Sequence, residues 1–228
     1  CFYHLWTYGL DGACTGITKP GGYDAVQLDR SKLGLIPVRC NSIAGLVFVC
    51  LSPDTEPLED YIGPIIESVR EPLGAAPLKV FHYNKAELNA NWKLWQDNNS
   101  ERYHSLLHFI NRKTQPWVIA KTSPMQLRLF DNGHSGYWSD SEATVTYEAG
   151  GYKGASVGTL PGMRDNEMRV INIFPDLMIN IRANVVRLDR MVPIEPGKTL
   201  VEWRGIGLTD LPAAVEKDRL RHHNMFWG

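Results

Sequence analysis

The chain has 228 residues, 43% of them hydrophobic and 21% charged, and 24 Lys and Arg against 25 Asp and Glu leave a net charge of -1. That is the composition of a globular protein with a substantial core. The charge balance gives no footprint for a nucleic-acid or membrane-surface partner, and the longest apolar run, Ile43 to Leu51, is far short of a membrane span. The four cysteines, Cys1, Cys14, Cys40 and Cys50, match no zinc spacing and are too few for a disulfide scaffold, so a reducing cytoplasm is expected.

In chain order, residues 1 to about 52 read as all-β. Turn signals at LDGA and KPGGYD separate short runs such as IPVRC and GLVFVCL, whose Val and Phe favour strands. Cys40 and Cys50 read as small buried residues within those strands. Five prolines between Pro53 and Pro77 then mark a packed connector, with a short helix over Asp60 to Arg70. From Ala86 a long helical pattern runs through ELNANWKLWQDNNSERYHSLLHFI, with an interruption near Asn98 and Asn99. MQLRLFD and ATVTYEAG read as strands. GGYKGASVGTLPG is a glycine-rich loop without the context of a phosphate cradle. Strands follow in RVINIFPDLMINIRANVVRLDRMVPI and TLVEWRGIGL, and PAAVEKDRLRHHNMFW closes as a helix with Pro212 near its start. Blocks of strands with helices at their edges predict an α+β catalytic part behind a small β domain.

The chemistry concentrates in DNNSERYHSLLH, residues 97 to 108. On a continuous helix Glu101, His104 and His108 fall within about 60° of one another, opposite Tyr103, Leu106, Leu107 and Ile110. Histidines one turn apart can chelate one ion, and imidazole suits iron, zinc, copper or nickel. On its own, a polar stripe of this kind on an amphipathic helix is usually a solvated face. Asp218, His222 and His223 repeat the spacing amid Glu216, Lys217, Arg219 and Arg221, and read as solvated helix surface. His82 and His134 stand alone. At the other end, CFYHLWTYGLDG sets Cys1 and His4 among aromatic residues before a tight Asp11-Gly12 turn, the setting a shielded iron-sulfur ligand pair requires.

Taken together, these stretches are similar to one family. CFYHLWTYGLDG resembles the second half of the Rieske motif in the large (alpha) subunit of aromatic-ring-hydroxylating oxygenases. NANWKLWQDNNSERYHSLLH resembles that family's Asn-Trp-Lys helix leading into its mononuclear iron site. LGLIPVRCNSIAGLVFVCL, INIFPDLMI and HNMFWG match further landmarks, so the resemblance covers essentially the whole chain.

The resemblance implies that residues 1–55 are the C-terminal part of an all-β Rieske domain. Residues 56–228 would be an antiparallel-sheet catalytic domain with surrounding helices, cut before its third iron ligand. Cys1 and His4 match one Cys and one His of a [2Fe-2S] cluster that needs two of each; with the other pair upstream, the cluster is not expected to assemble in this fragment. His104 and His108 match the histidines of a 2-His-1-carboxylate Fe(2+) site. Glu101 matches an acid linking the iron histidine to a neighbouring subunit's cluster, and Asn98 an asparagine near the iron.

The whole protein would hydroxylate an aromatic ring with dioxygen and electrons from NAD(P)H, delivered by a reductase directly or through a ferredoxin. It would assemble as a homotrimer or an alpha3beta3 complex. The Leu-Leu-His ending points to aromatic carboxylates such as salicylate or anthranilate. Two rival readings remain: an inactive metal-binding or interaction module, and a zinc hydrolase, weakened by the lack of a His-Glu-x-x-His helix.

Overall fold

The computed structural model describes residues 1–23, 26–101, 104, 125–139, 159–164, 167–182 and 184–227. They form two units, Cys1–Ser42 with Val47–Glu56, and Ile43–Leu46 with Pro57–Gly228.

In the first unit, β1 (Thr7–Tyr8) pairs antiparallel with β2 (Cys14–Gly16). The intervening turn is made by Asp11, whose carboxylate accepts the Ala13 N–H at 3.0 Å, and by Gly12 at φ +83°. Short 3-10 turns follow at Pro20–Tyr23 and Arg30–Lys32. β3 (Arg39–Ile43) and β4 (Leu46–Cys50) form a two-stranded ribbon. Ala44 and Gly45 both have positive φ at its turn, as a tight two-residue hairpin requires. Cys40 and Cys50 are in strands as expected, but Cys40 is exposed and Cys50 only half-buried. A two-stranded ribbon has too few neighbours to cover both of its faces.

The second unit is built on a seven-stranded antiparallel sheet in the order β5-β11-β10-β9-β8-β7-β6. Its middle is a meander of β8 (Met168–Ile173), β9 (Leu177–Arg182), β10 (Val185–Glu195) and β11 (Lys198–Leu208). Turn residues Pro175-Asp176, Asn184 and Pro196-Gly197 separate these strands. The hairpin of β6 (Met125–Leu129) and β7 (Ser135–Ser139) adds on one side, and β5 (Leu78–Leu88) pairs with β11 on the other.

Register divides the side chains of this sheet into two faces. One carries Ile171, Ile173, Ile179, Ile181, Val186 and Leu188, all buried. It is overlaid by the stretch expected to be a connector, which folds as α1 (Leu58–Ile62), a 3-10 turn over Gly63–Ile66, and α2 (Glu67–Gly74). Ile62, Ile65, Ile66, Val69 and Leu73 are buried there. Arg169 ties α2 down by donating to the Ser68 carbonyl at 2.6 Å. His134, 1% exposed, stitches the same layer: it accepts the Phe174 N–H on Nδ1, so its Nε2–H donates to the Tyr61 carbonyl at 2.9 Å.

The opposite face mixes Met168, Val170 and Met178 with Asn172, Asn180, Arg187 and Asp189, and is covered by two helices. The helix α3 (Trp92–Ser100) starts at Asn91, whose side chain caps the Lys93 N–H at 3.0 Å. The expected start at Ala86 is therefore corrected: Ala86 and Leu88 belong to β5, opposite Val201 and Thr199 of β11. Pairing to a long neighbouring strand outweighs the helix propensity of Ala, Glu and Leu. Among the described residues no helix is long and apolar enough to cross a membrane.

The C-terminal helix α4 (Ala213–Trp227) approaches the sheet where β11 reads Gly205-Ile206-Gly207. A Cβ on Gly205 would lie 2.9 Å from the His223 ring, and one on Gly207 would lie 2.6 Å from an Arg219 nitrogen. These glycines are the floor on which two buried α4 side chains rest. Gly205→Val should destabilise the fold by about 1–3 kcal/mol, the usual cost of overpacking. The measurement is the denaturant midpoint against the parent, and an unchanged midpoint rejects the close-approach account.

Candidate functional site

At the end of α3, Asn99 Nδ2 donates to the Trp95 carbonyl at 2.7 Å and Ser100 Oγ to the Gln96 carbonyl at 2.9 Å. Both side chains bond back one turn, which competes with continuing the helix. Glu101 is then extended, at φ -122° and ψ 170°. The continuous helix expected through Glu101 is thus interrupted at this point, close to the expected break.

Glu101 and His104 nevertheless come together. One carboxylate oxygen, Oε1, is 2.5 Å from His104 Nδ1, and the other, Oε2, accepts the His104 backbone N–H at 3.2 Å. The second bond ties the same carboxylate to the His104 backbone, so side chain and main chain are held together. An ionised carboxylate can only accept, so Nδ1 carries a proton, and in the neutral ring the lone pair is then on Nε2. Both side chains are partly buried. The result is an oriented imidazole with a defined tautomer, the form in which histidine binds a metal.

Asn98 is exposed on α3. His108 lies outside the described residues, as do Tyr103 and the ATVTYEAG strand. Cys1 and His4 are both exposed and belong to one turn, closed by the Leu5 N–H on the Cys1 carbonyl at 2.9 Å. Among the described residues no group of three His, Cys, Asp or Glu is placed to hold a metal ion. His104 by itself fits as a nitrogen ligand for iron, and Cys1 with His4 supplies the donor types of half a Rieske centre.

Sequence reasoning missed the polar network beneath α3. Arg187 clasps Asp189 with two bonds of 2.6 and 2.8 Å, and Asp189 is fully buried. Burial pushes the Asp189 carboxyl upward, against the pull of the guanidinium. The same guanidinium lies 5.6 Å from the centre of the Trp203 ring, and Trp203 stacks with Trp95 of α3 at 6.3 Å. Nearer the helix end, Asn172 of β8 reaches both Ser100 and Ser135. The available signal was period two: Asn172, Asn180, Arg187 and Asp189 interrupt otherwise apolar strands, all on one face.

The expectation of a solvated surface around His223 is corrected. His223 is 0% exposed and Arg219 1%. The His223 ring lies 4.4 Å from that of His82 and 5.4 Å from Phe81, while Arg219 sits 4.5 Å over Phe81. The many charges nearby disguised which side of the helix is inward.

The profile of the family described as ring hydroxylating alpha subunit (catalytic domain) matches residues 76–227. The chain belongs to this family. It is 36% identical over its whole length to the alpha subunit of 2-aminobenzenesulfonate 2,3-dioxygenase from Alcaligenes sp, covering 58% of that protein. It is 31% identical, again over its whole length, to the hydroxylase alpha subunit of methanesulfonate monooxygenase from Methylosulfonomonas methylovora, covering 54%. The chain therefore spans little more than half the length of these relatives. Naphthalene 1,2-dioxygenase from Rhodococcus sp. has the same fold: TM-score 0.72, 21% identity, 100% of this chain and 58% of that one.

Burial pushes the His223 imidazole down to about 4 from 6.5, and His82 and Arg187 add to the shift while Asn224 opposes it. Above pH 6.5 the ring is neutral folded and unfolded. Between 6.5 and about 4 the unfolded chain takes up a proton that the native one refuses, so stability falls as pH falls. Unfolding free energy should drop toward pH 4 by up to about 1.4 kcal/mol per pH unit from this residue. The His223→Gln variant should show a shallower slope in denaturant titrations at pH 7.5, 5.5 and 4.5. An equal slope assigns the pH dependence elsewhere.

Proposed function

We propose that this chain carries the mononuclear iron site of a Rieske non-haem iron oxygenase alpha subunit, with His104 and His108 as nitrogen ligands. Family membership supports the reading, and one observation carries it: the Glu101 carboxylate 2.5 Å from His104 Nδ1. Glu101 accepts the hydrogen bond from Nδ1–H and fixes the ring's rotation, which leaves Nε2 as the metal-binding nitrogen. It is also the group through which His104 would be linked to a neighbouring subunit's cluster. Asn98, one turn earlier on α3, stands near the iron. Residues 1–55 belong to a Rieske domain, where Cys1 and His4 are one pair of [2Fe-2S] ligands and a second Cys-His pair completes the set.

Iron bound at this site supplies dioxygen activation, fed by two electrons from NAD(P)H through a reductase and, where present, a ferredoxin. The polypeptide binds the substrate, orients it and excludes water. The substrate we assign is an aromatic acid bearing a sulfonate or carboxylate. The two relatives above are named for sulfonates, and the Leu106-Leu107-His108 ending resembles members acting on carboxylates. The working assembly is a homotrimer or an alpha3beta3 complex.

The test uses the full-length protein. His104→Ala should abolish iron binding. Glu101→Gln should retain iron and a reducible cluster while product formation falls roughly tenfold or more, the range for groups that orient a metal ligand. Iron content, cluster reduction and coupled product are measured on one preparation, with a panel of aromatic sulfonates and carboxylates. Parental turnover by Glu101→Gln removes the linking role. Iron retained by His104→Ala overturns the site.

A further inference from the structure

The ligating turn follows directly on Ser100, and three hydroxyl and amide groups from different elements meet there. Ser100 Oγ donates to the Gln96 carbonyl at 2.9 Å, which commits its only proton. Ser135 Oγ of β7, 3.2 Å away, must then donate to Ser100. Asn172 Nδ2 of β8 supplies its two protons to Ser100 Oγ at 3.0 Å and to Ser135 Oγ at 3.3 Å. Ser100 Oγ thus gives one bond and accepts two, with the amide facing it nitrogen first, while Asn172 Oδ1 is buried without a hydrogen-bond partner among the described residues. Asn172 is 1% exposed and Ser135 6%, so these two groups are buried, while Ser100 is half-buried.

We infer that Asn172 is a positioning residue for the iron-binding turn, acting through Ser100; this rests on the iron-site reading of His104. A helix end frays unless it is held. Here the last residue of α3 is pinned from two neighbouring strands of the most buried part of the sheet. Glu101 departs from that pinned residue, and its carboxylate sets the His104 ring. Asn172 thus determines where the Glu101–His104 unit stands by way of Ser100, and an error at Ser100 is carried directly to Nε2. Trp95, one turn earlier, fixes α3 against Trp203 but leaves its end free to swing. The sheet therefore holds α3 twice, once for packing and once for aim.

The experiment compares Asn172→Ala, Ser100→Ala, their double variant and His104→Ala in the full-length protein. Fe(II) dissociation constants come from chelator competition, Co(II) ligand-field absorption reports geometry, and thermal midpoints report folding. Each single variant should weaken Fe(II) by about tenfold, the lower range for groups that orient a ligand. The double variant should be no worse than either, because both remove one clamp. Co(II) spectra should shift in all three. Parental affinity in the singles, or a double loss equal to the product of the singles, overturns the positioning role. If His104→Ala binds iron like the parent, it is the iron site that fails, not the clamp. Should Asn172→Ala not fold, Ser100→Ala and Ser135→Ala complete the same cycle: a shared loss supports the clamp, and independent losses or parental affinity overturn it.

Discussion

A sheet covered on both faces has no solvent to satisfy the polar side chains it carries. Every such group in its interior must find a partner within the protein or destabilise it by roughly 1–3 kcal/mol. Here one face is mostly isoleucine and valine, and its Arg169 is paired with Glu167 and with the carbonyls of Ser68 and Gly162. The other carries Asn172, Asn180, Arg187 and Asp189 among methionines. The solution shapes the unit, because the partners have to come from the helices laid across that face and from fixed strand registers.

The Arg187–Asp189 pair is the costliest member. Two buried charges gain little over an apolar pair, but removing either one leaves an uncompensated ion. Both residues lie on β10, two apart, so the pair is set by that strand alone and must be buried or exposed as a unit. Trp203 covers the guanidinium, Trp95 covers Trp203, and α3 is located by that stack. Packing places the helix body, and hydrogen bonds at Ser100 place its end. His104 inherits both.

Much of this organisation was legible in the residues. The strands of the meander, the C-terminal helix and the Glu101-x-x-His104 unit all appear as sequence patterns. What was not legible depended on three-dimensional neighbours. Ala86 and Leu88 look helical because nothing local tells of the β11 partner beside them. His223 looks solvated because of the charged residues around it in the chain, yet it rests on a glycine of an earlier strand. Cys40 and Cys50 show the reverse error: apolar strands predicted burial that a two-stranded ribbon cannot provide.

The paired glycines of β11 also fix a direction. His223 rests on Gly205 and Arg219 on Gly207, so α4 runs antiparallel to the strand beneath it. Four residues of helix rise about 6 Å, and two residues of strand advance about 6.7 Å. The two repeats are nearly commensurate, and helix and strand mesh like rack and pinion over this stretch. Sliding by half a tooth would drive a side chain into the backbone between the glycines. The helix can therefore be displaced only by lifting off the sheet, which makes its docking an all-or-none step rather than a graded one.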